Sequence, residues 1–203
     1  MPDTALTPAD LRQWLTDHID EIYAFMRADY EPTLASEDDL TTILGTYGFR
    51  DEHWNRPGYR FVHLGHDACG GEVAAWIRPG HEHSEPPVVF FGSEGGHGVL
   101  AATLTRWALL LAHAPEIHEY PVPSVVGPVT DSSQKDDPET LAAEAKALAA
   151  YRQAALGRFG QIPEMDVLTS DVDALNAEFT AWVSSYVRTD TQKTRNIVRF
   201  QLK

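Results

Sequence analysis

The chain has 203 residues, of which 43% are hydrophobic, and its 30 acidic and 16 basic residues give a formal net charge of −14. Such a charge repels nucleic acid and anionic membranes and attracts basic partners over a Debye length of about 8 Å, so neither nucleic acid nor a membrane is an expected partner. The single cysteine, Cys69, allows no intramolecular disulfide, and no signal peptide or membrane-spanning run is visible. These features predict a cytoplasmic protein.

The negative charge is distributed unevenly along the chain. Residues 1–60 carry 12 acids and 5 bases, residues 61–137 carry 10 and 3, and residues 138–203 carry 8 and 8. All of the excess therefore lies in the first two thirds. Two interpretations are open at this point, since an acidic surface serves solubility as well as the recognition of a basic partner.

The N-terminal segment is predicted to be helical. Thr7 is a good N-cap, Pro8 occupies the first helical position, and Asp10 completes a capping box. Apolar residues then recur at helical spacing until Pro32, and a second short helix is predicted at Glu37–Leu44.

The middle of the chain has the alternating pattern of strands. Tyr59–Leu64 and Glu72–Arg78 are predicted to form a hairpin around Gly70 and Gly71, and Val88–Phe91 is apolar on both faces, as in a buried central strand. A short strand at 99–102 follows, and then a helix with an apolar stripe formed by Leu104, Trp107, Leu110 and Leu111.

The last third begins with a proline-rich composition break. Residues 115–137 are interpreted as a loop or linker, Asp137 begins a helix that runs to about Leu156, and a last helix is predicted at 171–187. Residues 197–202 alternate as an edge strand would. The predicted fold is therefore α+β, with a mixed or mostly antiparallel sheet flanked by helices in residues 1–114 and an additional helical part at 138–203 that packs on this core.

Six of the nine histidines fall in a 45-residue stretch that raises the question of a metal site: His53, His63, His66, His81, His83 and His97. Their spacing is not that of a zinc finger or a metalloprotease, and only one cysteine is available. We therefore predict no metal and no other cofactor. A metal-dependent enzyme that uses this cluster stays open as an alternative.

Nucleophilic catalysis has little support in the sequence. Gly92-Ser93-Glu94-Gly95 follows a strand, but the glycine stands directly before the serine, so the motif is not Gly-x-Ser-x-Gly. Cys69 lies close to His66 and Asp67, although sequence neighbours rarely adopt the geometry of a catalytic pair. No catalytic residue is predicted.

Residues 59–113 carry a recognisable pattern of strand ends and turns. It consists of YRFVHLGHDACGG at 59–71, AAW at 74–76, PVVFFGSEG at 87–95, and the helix that follows. This pattern resembles the SUKH superfamily, which is named for a fungal regulator of cell-wall synthesis and includes many bacterial immunity proteins. The resemblance implies a mixed sheet flanked by helices and a protein-binding role, usually the neutralisation of a toxin that is often a nuclease.

The charge and the resemblance together predict an immunity-type protein that binds and neutralises a basic toxin domain without catalysing a reaction. The alternative within binding proteins is a regulatory or scaffold protein with an endogenous partner. The candidate contacts are acids in polar stretches and two neighbouring aromatic residues: Glu37, Asp38, Asp39, Asp51, Glu52, Glu82, Glu85, Glu94, Trp54 and Tyr47.

Overall fold

The structure is a computed structural model, and it describes residues 5–26, 30–32, 60–67, 69–93, 95–118, 123–127 and 137–185. These residues form an α+β fold. In chain order its elements are α1 (Pro8–Asp17), α2 (Ile19–Met26), β1 (Arg60–His66), β2 (Glu72–Ile77), β3 (Val88–Phe91), β4 (His97–Ala101), α3 (Leu104–Leu111), β5 (Glu116–His118), β6 (Ser124–Val126), α4 (Pro138–Phe159), α5 (Met165–Thr169) and the helical segment α6 (172–185).

The main sheet is an antiparallel meander in which β1, β2, β3 and β4 are neighbours in that order. Phe61 pairs with Trp76 and Ala74 with Val89, so the alternation of each strand continues across the sheet. The predicted strands at 59–64, 72–78 and 88–91 are confirmed within two residues. β3 is buried on both faces, as its continuous apolar run indicates.

Helices cover both faces of this sheet. On one face, Phe90 packs in a large core with Leu11, Ile22 and Trp107 from the first three helices. On the other face, Phe179 and Val183 of α6 pack against residues from all four strands, namely Phe61, Ala74, Trp76, Val89, Phe91 and Val99. Phe91 of the predicted central strand and Trp107 of the predicted apolar stripe are both buried.

Tyr151 of α4 joins three helices by hydrogen bonds inside the larger core. Its hydroxyl donates to the carbonyl oxygen of Ala108 at 2.8 Å and accepts from Trp14 Nε1 at 3.0 Å. Burial raises the pKa of this hydroxyl, because the phenolate would lose its solvation, so the group remains a donor.

The N-terminal helix differs from the prediction in one respect, because it is interrupted at His18. The capping box forms as predicted, with Thr7 Oγ1 accepting from the backbone N–H of Asp10 and the Asp10 carboxylate accepting from that of Thr7. Trp14 of α1 and Phe25 of α2, on either side of this interruption, both contact the ring of Tyr151.

The C-terminal third is helical, as predicted. α4 begins at the Asp137 cap and ends at Gly160, whose left-handed backbone (φ 81°) suits a residue without a side chain. The stretch predicted as a linker contains the β5–β6 hairpin, which has strands of three residues each and is too short for an alternating pattern. The predicted helix at 37–44 and edge strand at 197–202 lie outside the described residues.

In the described ranges, no helix combines the length and the apolar character that crossing a membrane requires.

Candidate functional site

Two of the ten predicted contact residues, Glu82 and Glu85, lie in the described part of the chain, in the loop that joins β2 to β3. The other eight lie outside it: Glu37, Asp38, Asp39, Tyr47, Asp51, Glu52, Trp54 and Glu94. The β2–β3 loop is therefore the first part of the candidate binding surface to be described.

Glu82 is at the exposed tip of the loop, between two exposed histidines. Its carboxylate accepts a hydrogen bond from the backbone N–H of Gly80 at 2.9 Å. The backbone N–H groups of Glu82 itself and of Gly80 lower the pKa of the carboxyl, and the charges of His83 and His81 act in the same direction. The tip of the loop consequently presents a carboxylate that remains ionised and open to a partner.

Glu85, three residues later, is bound within the fold. One carboxylate oxygen accepts from the backbone N–H of Leu6 at 2.6 Å and from the Thr105 hydroxyl at 2.7 Å, and the other accepts from the backbone N–H of Thr105 at 3.0 Å. Glu85 thus ties the start of the chain to the first turn of α3. The sequence offered no signal for this role, because Leu6 is 79 residues away.

A second acidic surface lies on α5 and the start of α6. Residues 161–185 contain five acids and no base, a local imbalance that the neutral charge of residues 138–203 conceals. Asp171 pairs with Arg106 at 2.7 Å and Glu178 with Arg78 at 2.6 Å. We define the acidic C-terminal surface as the three other acids of this stretch, all of them exposed: Glu164, Asp166 and Asp173.

His63 and Glu72 form a buried polar pair at the end of the sheet. Glu72 Oε2 lies 2.6 Å from His63 Nε2, and the two residues are only 6% and 3% exposed. His63 pairs with Ala74, two residues from Glu72, so the two side chains are diagonal neighbours on one face of the β1–β2 pair. Among the described residues, His63 Nδ1 has no hydrogen-bond partner.

His66 belongs to a separate, partly exposed group. Glu31 Oε2 lies 3.3 Å from His66 Nε2 and accepts from the Tyr23 hydroxyl at 3.2 Å, and the backbones of Glu31 and His66 form an antiparallel bridge. Gly65 allows this close approach, because a Cβ there would collide with Glu31 O and the ring of Tyr30. Partial burial, reinforced by the Glu31 charge, raises the pKa of Tyr23. The group anchors residues 30–32 to β1.

The structure separates the histidines that the sequence places near one another. His63 and His66 have different carboxylate partners, His81 and His83 are in the exposed loop, and His97 packs beside the ring of Phe179. Within the described ranges, no group of three or more histidine, cysteine or acidic side chains is placed to hold a metal ion. His53 lies outside these ranges.

Asp67 and Cys69 have structural positions in the β1–β2 turn. Asp67 Oδ1 accepts from the backbone N–H groups of Cys69 at 2.9 Å and Gly71 at 2.6 Å, so this carboxylate closes the turn. Cys69 is exposed. These hydrogen bonds give Asp67 a structural role in the turn, which accounts for an aspartate at this position without a catalytic role.

Comparisons with family models, with curated proteins and with solved structures found no match. The likeness to the SUKH superfamily accordingly rests on the residues quoted above. Helices flank the observed sheet, as the resemblance implied, but its four strands are all antiparallel and not mixed. A sheet flanked by helices serves many unrelated functions.

Proposed function

We propose that the protein is an immunity-type protein, which binds a basic toxin domain and neutralises it by covering its functional surface. The observation that carries the proposal is the display of exposed acidic side chains on two parts of the described surface, Glu82 in the β2–β3 loop and the acidic C-terminal surface. The resemblance of residues 59–113 to the SUKH superfamily supports the same role.

The physical basis is electrostatic steering. A chain with a formal charge of −14 attracts a basic protein before contact, and such steering raises association rates by about 10- to 1000-fold. Toxins that act on nucleic acid need a basic groove for their substrate, so an acidic protein that occupies this groove competes with the substrate directly. Charge alone gives speed and specificity, and affinity also needs apolar anchors, for which Tyr47 and Trp54 remain the candidates.

Co-expression tests the proposal directly. A basic toxin domain encoded beside this chain is expected to stop growth of a heterologous host when produced alone, and growth is expected to return when this protein is produced with it. Copurification of the two proteins is the accompanying biochemical test. Failure of both rescue and copurification with such a domain would contradict the proposal.

The second binding hypothesis, a regulator or scaffold with an endogenous partner, predicts a different result. In that case, the neighbouring genes encode no toxin, and tagged protein retains a host protein in a salt-sensitive complex. The enzyme hypothesis predicts about one bound zinc per chain in elemental analysis, lost when His81 and His83 are both replaced by alanine. Under our proposal, no metal copurifies in stoichiometric amount.

A further inference from the structure

The loop between β2 and β3 is both exposed and ordered. Its residues 79–84 are all exposed, whereas the strands that it joins are largely buried. Pro79 and Gly80 form the centre of a first turn, in which the N–H of His81 donates to the carbonyl oxygen of Arg78 at 3.1 Å and the φ of Gly80 is 76°. This is the arrangement of a type II turn, which needs a positive φ at its third residue.

A second turn fixes the tip of the loop directly after the first. The backbone N–H and the hydroxyl of Ser84 both donate to the carbonyl oxygen of His81, at 3.1 and 2.9 Å. The Glu82 carboxylate accepts from the backbone N–H of Gly80 at 2.9 Å. Because a loop that is ordered before contact loses less conformational entropy on binding, this loop is suited to a partner.

Charged side chains hold the two ends of the loop on the rest of the fold. At its start, Arg78 pairs with Glu178 of α6 at 2.6 Å. At its end, Glu85 accepts hydrogen bonds from the start of the chain and from α3. The charges of Arg78 and Glu85 are thus engaged within the fold, and the tip presents Glu82 and the two histidines beside it.

These three side chains at the tip act on one another electrostatically. His81 and His83 flank Glu82, and all three residues are exposed. The backbone N–H groups of Glu82 and Gly80 lower the pKa of the Glu82 carboxyl most, and the charges of His83 and His81 lower it further. Histidine side chains change their charge between about pH 8 and about pH 5. Over this range the formal charge of the tip therefore changes from −1, with both histidines neutral, to +1, with both protonated.

We propose that this loop is an acid-sensitive contact for the basic partner, attractive while His81 and His83 are neutral and repulsive once both are protonated. The inference rests on the proposed function, because it assigns the regulation of that same binding surface to the loop. A carboxylate between two neutral imidazoles suits a lysine or arginine side chain of the partner, whereas two imidazolium groups repel it. Acidification consequently weakens the complex through this loop.

The association rate with the toxin domain that copurifies in the co-expression test measures this effect, by stopped flow at about pH 8 and about pH 5.5 in low salt. The variant His81→Gln/His83→Gln keeps the tip negative at both pH values. We expect acidification to slow the wild type by at least about fivefold more than this variant, since one charge at contact distance in water is worth about that factor. His118→Gln, an exposed position on β5, is the matched control and should keep the wild-type pH dependence.

A synthetic oligolysine peptide is a basic probe that does not depend on the toxin. In NMR titrations of the isotope-labelled full chain, the peptide is expected to shift the amide signals of residues 80–84 at about pH 8 and to shift them less at about pH 5.5, whereas the double variant responds equally at both. Shifts that leave out the loop, or an equal pH dependence in the wild type and the double variant, would overturn the inference about the loop. Failure of rescue and copurification, together with the expected oligolysine shifts, would contradict the immunity function and support the loop as an acid-sensitive contact.

Discussion

At the scale of single residues, breaking the pair formed by His63 and Glu72 should destabilise the protein. Removing one partner of a buried pair leaves the other without a hydrogen bond in a site that excludes water. Glu72→Ala is therefore expected to lower the free energy of unfolding by about 3 kcal/mol, measured by urea denaturation.

The double variant His63→Leu/Glu72→Leu is the control for this prediction. Replacing both partners with apolar side chains removes the desolvation cost together with the hydrogen bond, so most of the loss should be recovered. If the double variant instead loses the sum of both single losses, the two side chains are not coupled and the account of the pair is wrong.

Two glutamates three residues apart offer a matched comparison. Glu85 accepts three hydrogen bonds from Leu6 and Thr105, whereas Glu82 is exposed at the tip of the same loop. Glu85→Gln is expected to cost about 1.5–3 kcal/mol of stability, because hydrogen bonds to a charged acceptor are replaced by weaker ones. Glu82→Gln is expected to leave the thermal midpoint unchanged. Equal midpoints for the two variants would show that Glu85 is not the structural tie described here.

At the scale of elements, the packing of α6 on the sheet depends on aromatic contacts. Phe179 is fully buried, and its ring lies 4.9 Å from Trp76 and 6.0 Å from Trp182, centroid to centroid. Phe179→Ala is expected to destabilise the protein by about 3–5 kcal/mol and to change the tryptophan fluorescence. Thr180→Ala, at the exposed neighbouring position, is the control and should change neither. A loss below about 0.5 kcal/mol, the range of surface substitutions, would mean that Phe179 is not part of the core.

Strong periodic patterns allowed most of these elements to be predicted. Short-range sequence patterns determine these elements: the apolar run of β3, the alternation of β1 and β2, and the Asp137 cap of α4. Each element lies within a few residues of its predicted position. The break at His18 and the short strands of the β5–β6 hairpin were not predictable in this way. No local sequence signal marks either of them, and the residues on the two sides of the break, Trp14 and Phe25, both contact Tyr151 of the distant α4.

The sequence predicted less of the candidate site than of the fold. The exposure of Glu82 followed from its polar surroundings, but the hydrogen bonds of Glu85 join residues that no local pattern connects. The contact of His63 with Glu72 depends on the register of β1 against β2, in which His63 pairs with Ala74, and no local pattern determines that register. The acidic C-terminal surface does not show in the net charge of residues 138–203, because bases near the C-terminus balance these acids.

At the scale of the whole molecule, the central claim is that acidic surfaces steer the protein onto a basic partner. The direct test is the association rate with the toxin domain identified by co-expression, measured by stopped flow as the ionic strength rises from about 50 to 500 mM, where the Debye length falls to roughly 4 Å. A rate decrease of about tenfold or more is predicted. At low salt, a variant in which Glu82, Glu164, Asp166 and Asp173 are all replaced by lysine is expected to show a similar decrease in association rate. A variant with glutamine in place of the two glutamates and asparagine in place of the two aspartates is expected to show a smaller decrease. A rate that is indifferent to both salt and these substitutions would contradict the account.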